Sequence, residues 1–252
     1  MERMFSGKVA IVTGGGSGIG QATAILYAAN GASVVVSDID ERGGHHTLAT
    51  IIGHGGKAIF VKADVSNPHD CEHLVSETLK AFSKLDIAFN NAGIGGESNP
   101  TADVSIEGWN KIISVNLSSV FYCMKYQIPA MLANGKGAIV NMASILGSVG
   151  FANSIGYVAA KHGVIGASQN AALEYSAKGI RINSVGPGFI NTPLLTNAGM
   201  DDNTKQYLAK MHPIGRLGEP NEVAELVVWL SSDKASFVTG SYYPVDGGYL
   251  AQ

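Results

Sequence analysis

Seven short, almost uniformly apolar runs punctuate the chain and constrain its fold more than any other feature. They fall at Val9 to Val12, Val34 to Val36, Ala58 to Val61, Leu85 to Phe89, Ala138 to Val140, Ile180 to Val185 and Tyr243 to Val245. Runs that are apolar at consecutive positions suit strands covered on both faces. Between them lie segments with apolar residues at helical spacing, among them Ile19 to Ala29, Cys71 to Phe82 and a long stretch from Ile106 to Leu132. Strand then helix, repeated almost throughout, predicts an α/β protein with a doubly wound parallel sheet and helices on both faces. A chain of 252 residues, 46% of them hydrophobic, buries a large core and still falls within the range of one α/β domain. No internal repeat, low-complexity tract or Pro/Gly/Ser linker divides it, so one domain over residues 1-252 is expected.

The charge balance narrows the partners. A formal net charge of -3 lacks the basic excess that nucleic acid or an anionic membrane surface attracts, so small neutral molecules are expected instead. Cys71 and Cys123 stand far apart outside any CxxC pattern, which fits a reducing compartment and suggests neither a disulfide framework nor a thiolate metal site. Neither a signal-peptide run near Met1 nor a stretch of roughly 18 apolar residues is found, so a soluble cytoplasmic protein is the expectation. One long segment, residues 189-220, has no clear strand or buried-helix character and is broken by Pro193, Pro213 and Pro220. It reads as a lid or substrate loop.

Chemistry first enters at Thr13-Gly14-Gly15-Gly16-Ser17-Gly18-Ile19-Gly20, which follows the first strand and opens the first helix. Glycines at a strand-to-helix turn let the backbone approach a pyrophosphate, whose charge is stabilised by free N–H groups and the positive end of the helix dipole. Asp38 closes the second strand, 18 residues beyond Gly20. A carboxylate there accepts hydrogen bonds from adenosine ribose hydroxyls and repels a 2'-phosphate, which favours NAD over NADP. The structural alternative is an Asp that caps the following helix, and Arg42 is the one nearby cation that speaks for NADP.

The Thr-Gly-x-x-x-Gly-x-Gly spacing, followed in order by Asn90-Asn91-Ala92-Gly93, Asn116, Ser144, Tyr157-x-x-x-Lys161 and Pro187-Gly188, resembles the short-chain dehydrogenase/reductase family over nearly the whole chain. The resemblance implies a Rossmann-like fold with Gly14, Ser17, Gly18, Ile19 and Gly20 around the cofactor. It further implies that Asp64 and Val65 flank an adenine ring and that Asn91, Ala92 and Gly93 hold the adjacent strand and pass close to the cofactor. Pro187, Gly188, the Ile190 backbone and the Thr192 hydroxyl would run beside a nicotinamide carboxamide, and a homotetramer is the family expectation. Asp64 has an equally good structural reading as the N-cap of a helix starting near Pro68.

Hydride removal from an alcohol carbon requires a base for the hydroxyl proton. Tyr157 is the candidate, and its phenol, with an ordinary pKa of about 10, needs neighbouring positive charge to work near neutral pH. Lys161 stands four positions on, one helical turn away on the same face, and is expected, together with the positive nicotinamide, to lower that pKa and to bind the nicotinamide ribose. Ser144 lies 13 residues before Tyr157 and offers a hydroxyl to the substrate oxygen, with Ser148 as the nearby competitor. Asn116 sits at a mediocre helix position, and the resemblance gives its side chain a water relay to the lysine; a buried structural Asn is the alternative.

His69 and His73 have i, i+4 spacing but begin a helix whose apolar positions lie elsewhere, so no catalytic metal is expected. The C-terminal Asp246 to Gln252 resembles tails that hold a structural magnesium ion in tetrameric relatives. Ile145, Leu146, Val149, Phe189, Ile190, Leu194, Leu195 and Met200 are the expected pocket walls, and an apolar lining favours a hydrophobic secondary alcohol or its ketone. The rivals are a 3-oxoacyl-carrier-protein reductase, a sugar dehydrogenase and, from another class, a non-catalytic NAD-binding regulator.

Overall fold

The structure, a computed structural model, describes residues 3–197 and 201–252. Seven strands, β1 (Val9–Thr13), β2 (Ser33–Asp38), β3 (Lys57–Lys62), β4 (Ile87–Asn90), β5 (Gly137–Met142), β6 (Ile180–Pro187) and β7 (Tyr242–Val245), form one sheet in the order β3-β2-β1-β4-β5-β6-β7. Every neighbouring pair is parallel. Along β1, Ala10 and Val12 pack into one hydrophobic cluster and Ile11 into another on the opposite face. The two-residue alternation therefore persists, but both faces are buried, and this is why the run reads as uniformly apolar.

Helices α1 (Gly18–Ala29), α2 (Glu41–Gly53), α3 (Pro68–Phe82), α4 (Ile106–Ile113), α5 (Ser119–Ala133), α6 (Ile155–Tyr175), α7 (Pro193–Asn197), α8 (Asp202–Lys210) and α9 (Pro220–Ser231) complete the described chain. α1 packs against α9 on one side of the sheet, and α3 against α5 with α4 against α6 on the other. No helix among the described residues is long and apolar enough to cross a membrane.

Two expectations about segments are corrected. The stretch from Ile106 to Leu132 is two helices separated by a π-helical turn at Ser114–Ser118. A π-turn admits one extra residue into the helix and redirects a side chain, and Asn116 lies at its centre. The 189-220 segment carries α7 and α8, short helices whose mostly polar sequences hide them from a search for buried periodicity.

A chain of buried amides ties the layers together. Asn90 on β4 exchanges hydrogen bonds with Gln127 of α5 and donates to Asn141 Oδ1 of β5 at 2.9 Å. Asn141 in turn donates to Ser168 Oγ of α6 at 2.9 Å, and Ser168 donates to the Val164 carbonyl. Buried polar groups satisfied in this way fix one relative placement of the elements that carry them.

Candidate active site

A cavity of about 460 Å³ opens at the carboxyl ends of the strands. It spans the point between β1 and β4 from which the strand order runs outward in both directions, where open α/β sheets bind ligands. Seventeen of the nineteen site residues predicted from sequence line it; Gly20 and Asn116 do not.

The glycine loop is shaped by its neighbours. Gly14 has φ +63°, and a Cβ there would lie 2.8 Å from Asn91 Nδ2, so no larger residue fits. Asn91 uses that amide to donate to the Thr13 and Gly14 carbonyls at 3.0 and 3.1 Å, clasping the end of β1. A Cβ at Gly20 would collide with the Gly14 carbonyl, so Gly20 serves the close approach of helix to strand, not the cavity wall. Ser17, the N-cap of α1, makes no side-chain capping bond. The first-turn N–H groups of α1 therefore face the cavity without a side-chain acceptor, a natural seat for an anion.

Asp38 Oδ2 accepts the Gly16 N–H at 2.8 Å and Oδ1 accepts the Asp40 N–H at 2.9 Å. Helix α2 is capped by Asp40, not by Asp38. Asp64 likewise is not the cap of α3: Asn67 is, and Asp64 Oδ1 instead accepts from Ser66 N and Oγ. The Ser66 hydroxyl holds the Asp64 carboxyl below its usual range. The site as built thus joins a glycine loop, a helix N-terminus and strand-end carboxylates, a donor and acceptor set that fits a dinucleotide.

At the other end, Tyr157 and Lys161 project from α6 into the cavity. Lys161 is buried, its Nζ donates to the Met142 carbonyl at 2.7 Å and lies 5.6 Å from the Tyr157 ring centroid. Burial lowers its pKa from 10.5 to about 8. Burial also raises the Tyr157 pKa, opposed by a hydrogen bond from Ser144. In the protein by itself, desolvation dominates both groups. Ser144 Oγ additionally accepts the Leu146 N–H at 3.2 Å. Its competitor Ser148 hydrogen-bonds Tyr242 and is absent from the cavity lining.

Asn116 is fully buried and uses its side chain on the loop after β4. Its Oδ1 accepts the Ile94 N–H and its Nδ2 donates to the Ile94 carbonyl, both at 2.8 Å. The side chain thus clasps the loop after β4 and does not reach out to the lysine. Gly93 sits between them, since a Cβ there would lie 3.1 Å from Asn116 Oδ1 and 3.8 Å from Lys161 Nζ.

The shifted lysine predicts a pH dependence of stability. Between pH 8 and 10.5 the unfolded chain holds the Lys161 proton and the folded chain does not, so stability should rise with pH there, by roughly 1.4 kcal/mol per unit. Below that window both states are protonated and the slope vanishes. Urea unfolding of the wild type and Lys161→Met at several pH values checks this; parallel stability curves would refute it.

Of the expected pocket walls, Ile145, Leu146, Phe189, Ile190, Leu194 and Leu195 line the cavity, Val149 does not, and Met200 lies outside the described residues. Sequence reasoning missed Ile94, Lys111, Val115, Phe151 and Ser154 on the same wall. Phe151 and Ser154 were findable as residues between the Ser144 strand end and the Tyr157 helix; the others carry no local signal. Among the described residues no cluster of His, Cys, Asp or Glu could hold a metal ion.

A family model described as enoyl-(acyl carrier protein) reductase matches residues 14–250. With that match, this fold and this site, the chain belongs to the short-chain dehydrogenase/reductase family, oxidoreductases acting on CH–OH groups. It is 53% identical over 252 residues to cyclohexanol dehydrogenase of Acinetobacter sp. (strain SE19), covering 100% of this chain and 98% of that one. It is 43% identical to cis-4-hydroxycyclohexanecarboxylate dehydrogenase of Sinomonas cyclohexanicum, with 100% of both chains covered. The crystal structure of levodione reductase matches with a TM-score of 0.95 at 38% identity, covering 98% of this chain and 99% of that one.

Proposed function

We propose that the chain is an NAD-dependent dehydrogenase of alicyclic secondary alcohols of about cyclohexanol size, with Tyr157 as acid/base. One observation carries the reading: Tyr157 and Ser144 line the same cavity as the apolar side chains of Ile145, Leu146, Phe151, Phe189, Leu194 and Leu195. An apolar chamber with one polar corner suits a hydrocarbon ring bearing one hydroxyl, while a sugar would leave its hydroxyls unpaired.

Tyr157 takes the alcohol proton in oxidation and returns it in ketone reduction. Ser144 donates to the substrate oxygen as charge develops there. Lys161, anchored on the Met142 carbonyl, keeps its remaining N–H bonds for the ribose and its charge for the phenolate. Oxidised nicotinamide bound beside Tyr157 would supply the hydride-accepting carbon and a positive charge that favours the phenolate. Gly14, Ser17, Gly18 and Ile19 would hold the pyrophosphate, Asp38 the adenosine ribose, Asp64 and Val65 the adenine, and Asn91 to Gly93 with Pro187 to Thr192 the nicotinamide side. The relatives named for cyclohexanol and a hydroxycyclohexane carboxylate support the choice of ring.

We also infer a homotetramer in the cytoplasm. Exposed Phe121 on α5 and Leu173 on α6, and exposed Trp229 and Phe237 near the β7 edge, supply apolar surfaces for contact between copies. Cys71 and Cys123 are free thiols, as in a reducing compartment.

The test follows the absorbance of reduced nicotinamide with cyclohexanol-type alcohols, open-chain alcohols, hydroxyacyl thioesters and sugars, each with NAD and NADP. Turnover of the ring alcohols with NAD is expected. Turnover confined to thioesters or sugars would transfer the chain to the rival enzymes, and none at all would favour a regulator.

A further inference from the structure

Behind one residue of the cavity lining, Phe189, lies a buried histidine. Phe189 packs against Phe151 in the pocket lining, with ring centroids 5.8 Å apart and the planes tilted by 58°. Behind it stands His212, 3% exposed, edge-on to the Phe189 ring with centroids 5.8 Å apart at 88°. The Phe189 N–H donates to His212 Nε2 at 3.1 Å, and His212 Nδ1 lies 2.8 Å from the Leu208 carbonyl. An amide N–H only donates and a carbonyl only accepts, so the imidazole must be the neutral Nδ1–H tautomer. Tyr249 of the C-terminal segment closes the group, 5.6 Å from His212 and 6.1 Å from Phe189 between centroids. Gly188 yields space to the same ring, since a Cβ there would come 2.6 Å from His212 Nε2.

Resting on the alicyclic reading above, we propose that His212 is a positioning residue for substrate selection. It pins the main chain and the ring of Phe189 so that Phe151 and Phe189 present a fixed pair of aromatic faces, which accept a compact saturated ring in preference to an open chain of equal carbon number. Three separate elements meet on this one imidazole: the loop after β6, the end of α8 and the C-terminal segment. A wall held by a satisfied buried hydrogen bond loses no side-chain freedom on binding, and a ring has less freedom to lose than a chain.

The test compares kcat/KM for matched ring and open-chain secondary alcohols in three variants. His212→Phe keeps the aromatic volume but removes the acceptor for Phe189 N–H; His212→Gln offers an amide oxygen to that N–H; Phe189→Leu removes the wall but leaves the imidazole. His212→Phe and Phe189→Leu are expected to lower the ring-to-chain preference by roughly tenfold or more, through KM, while His212→Gln restores most of it. Amide hydrogen exchange at residues 189–191 should rise in His212→Phe and stay near wild type in His212→Gln, a readout that needs no substrate. An unchanged preference in Phe189→Leu, or His212→Gln behaving like His212→Phe in both measurements, overturns the proposal. A wild type that oxidises secondary alcohols without preferring rings overturns the ring selection while leaving the dehydrogenase reading intact. Absence of alcohol turnover in the wild type refutes that reading and ring selection together, and the exchange measurement then decides separately whether His212 holds the loop.

Discussion

Tyr157→Phe is expected to lower kcat by roughly 10² to 10⁴-fold while NAD affinity stays at the wild-type level. The substitution removes one oxygen and keeps the ring that fills the wall of the cavity. Lys161 does not depend on that oxygen for its position, because its Nζ is fixed on the Met142 carbonyl. The loss should therefore fall on proton transfer and spare cofactor binding. Steady-state kinetics with the best ring alcohol, paired with titration of NAD by fluorescence, separates the two. Near-normal turnover would show that Tyr157 is not the base.

The second large effect is expected at Asp38. Two ribose hydroxyls donating to one carboxylate are worth about 1.5–3 kcal/mol each, so Asp38→Ala should weaken NAD by roughly 10² to 10⁴-fold. The same carboxylate also holds the Gly16 and Asp40 N–H groups. Truncation therefore loosens the glycine loop for both dinucleotides, and the informative quantity is the NAD to NADP ratio, which should fall. Asp38→Asn keeps an acceptor for Gly16 while removing the charge that repels a 2'-phosphate, so it should gain NADP affinity outright. An unaltered ratio in both variants would remove Asp38 from the ribose assignment.

The strands were legible because a strand covered on both faces needs apolar residues at consecutive positions, most completely in β1, where all five residues are buried. Asp38, Ser144 and Tyr157 were legible because their meaning depends on place along the chain, at a strand end or one turn before a lysine. The clasp that Asn116 makes was illegible for the opposite reason. Its partner is the Ile94 backbone, 22 residues earlier, and nothing near Asn116 announces either that clasp or the π-turn around it. The desolvation of Tyr157 and Lys161 was illegible as well, because a sequence records the nearby charge and not the burial around it. His212 carries no local signal either, since its contacts with Phe189 and Tyr249 exist only once three distant segments meet.

The buried chain from Asn90 through Asn141 to Ser168 grips α6 two turns beyond Lys161. Tyr157 is thus held from below, by the sheet, while in the overhang beyond β5 the side chains of Ile145, Leu146 and Phe151 line the pocket. Alterations in that overhang would change which alcohol fits and leave the phenol where it is. In this architecture, choice of substrate and competence for proton transfer can vary independently, and a lineage of such enzymes could exchange one without rebuilding the other.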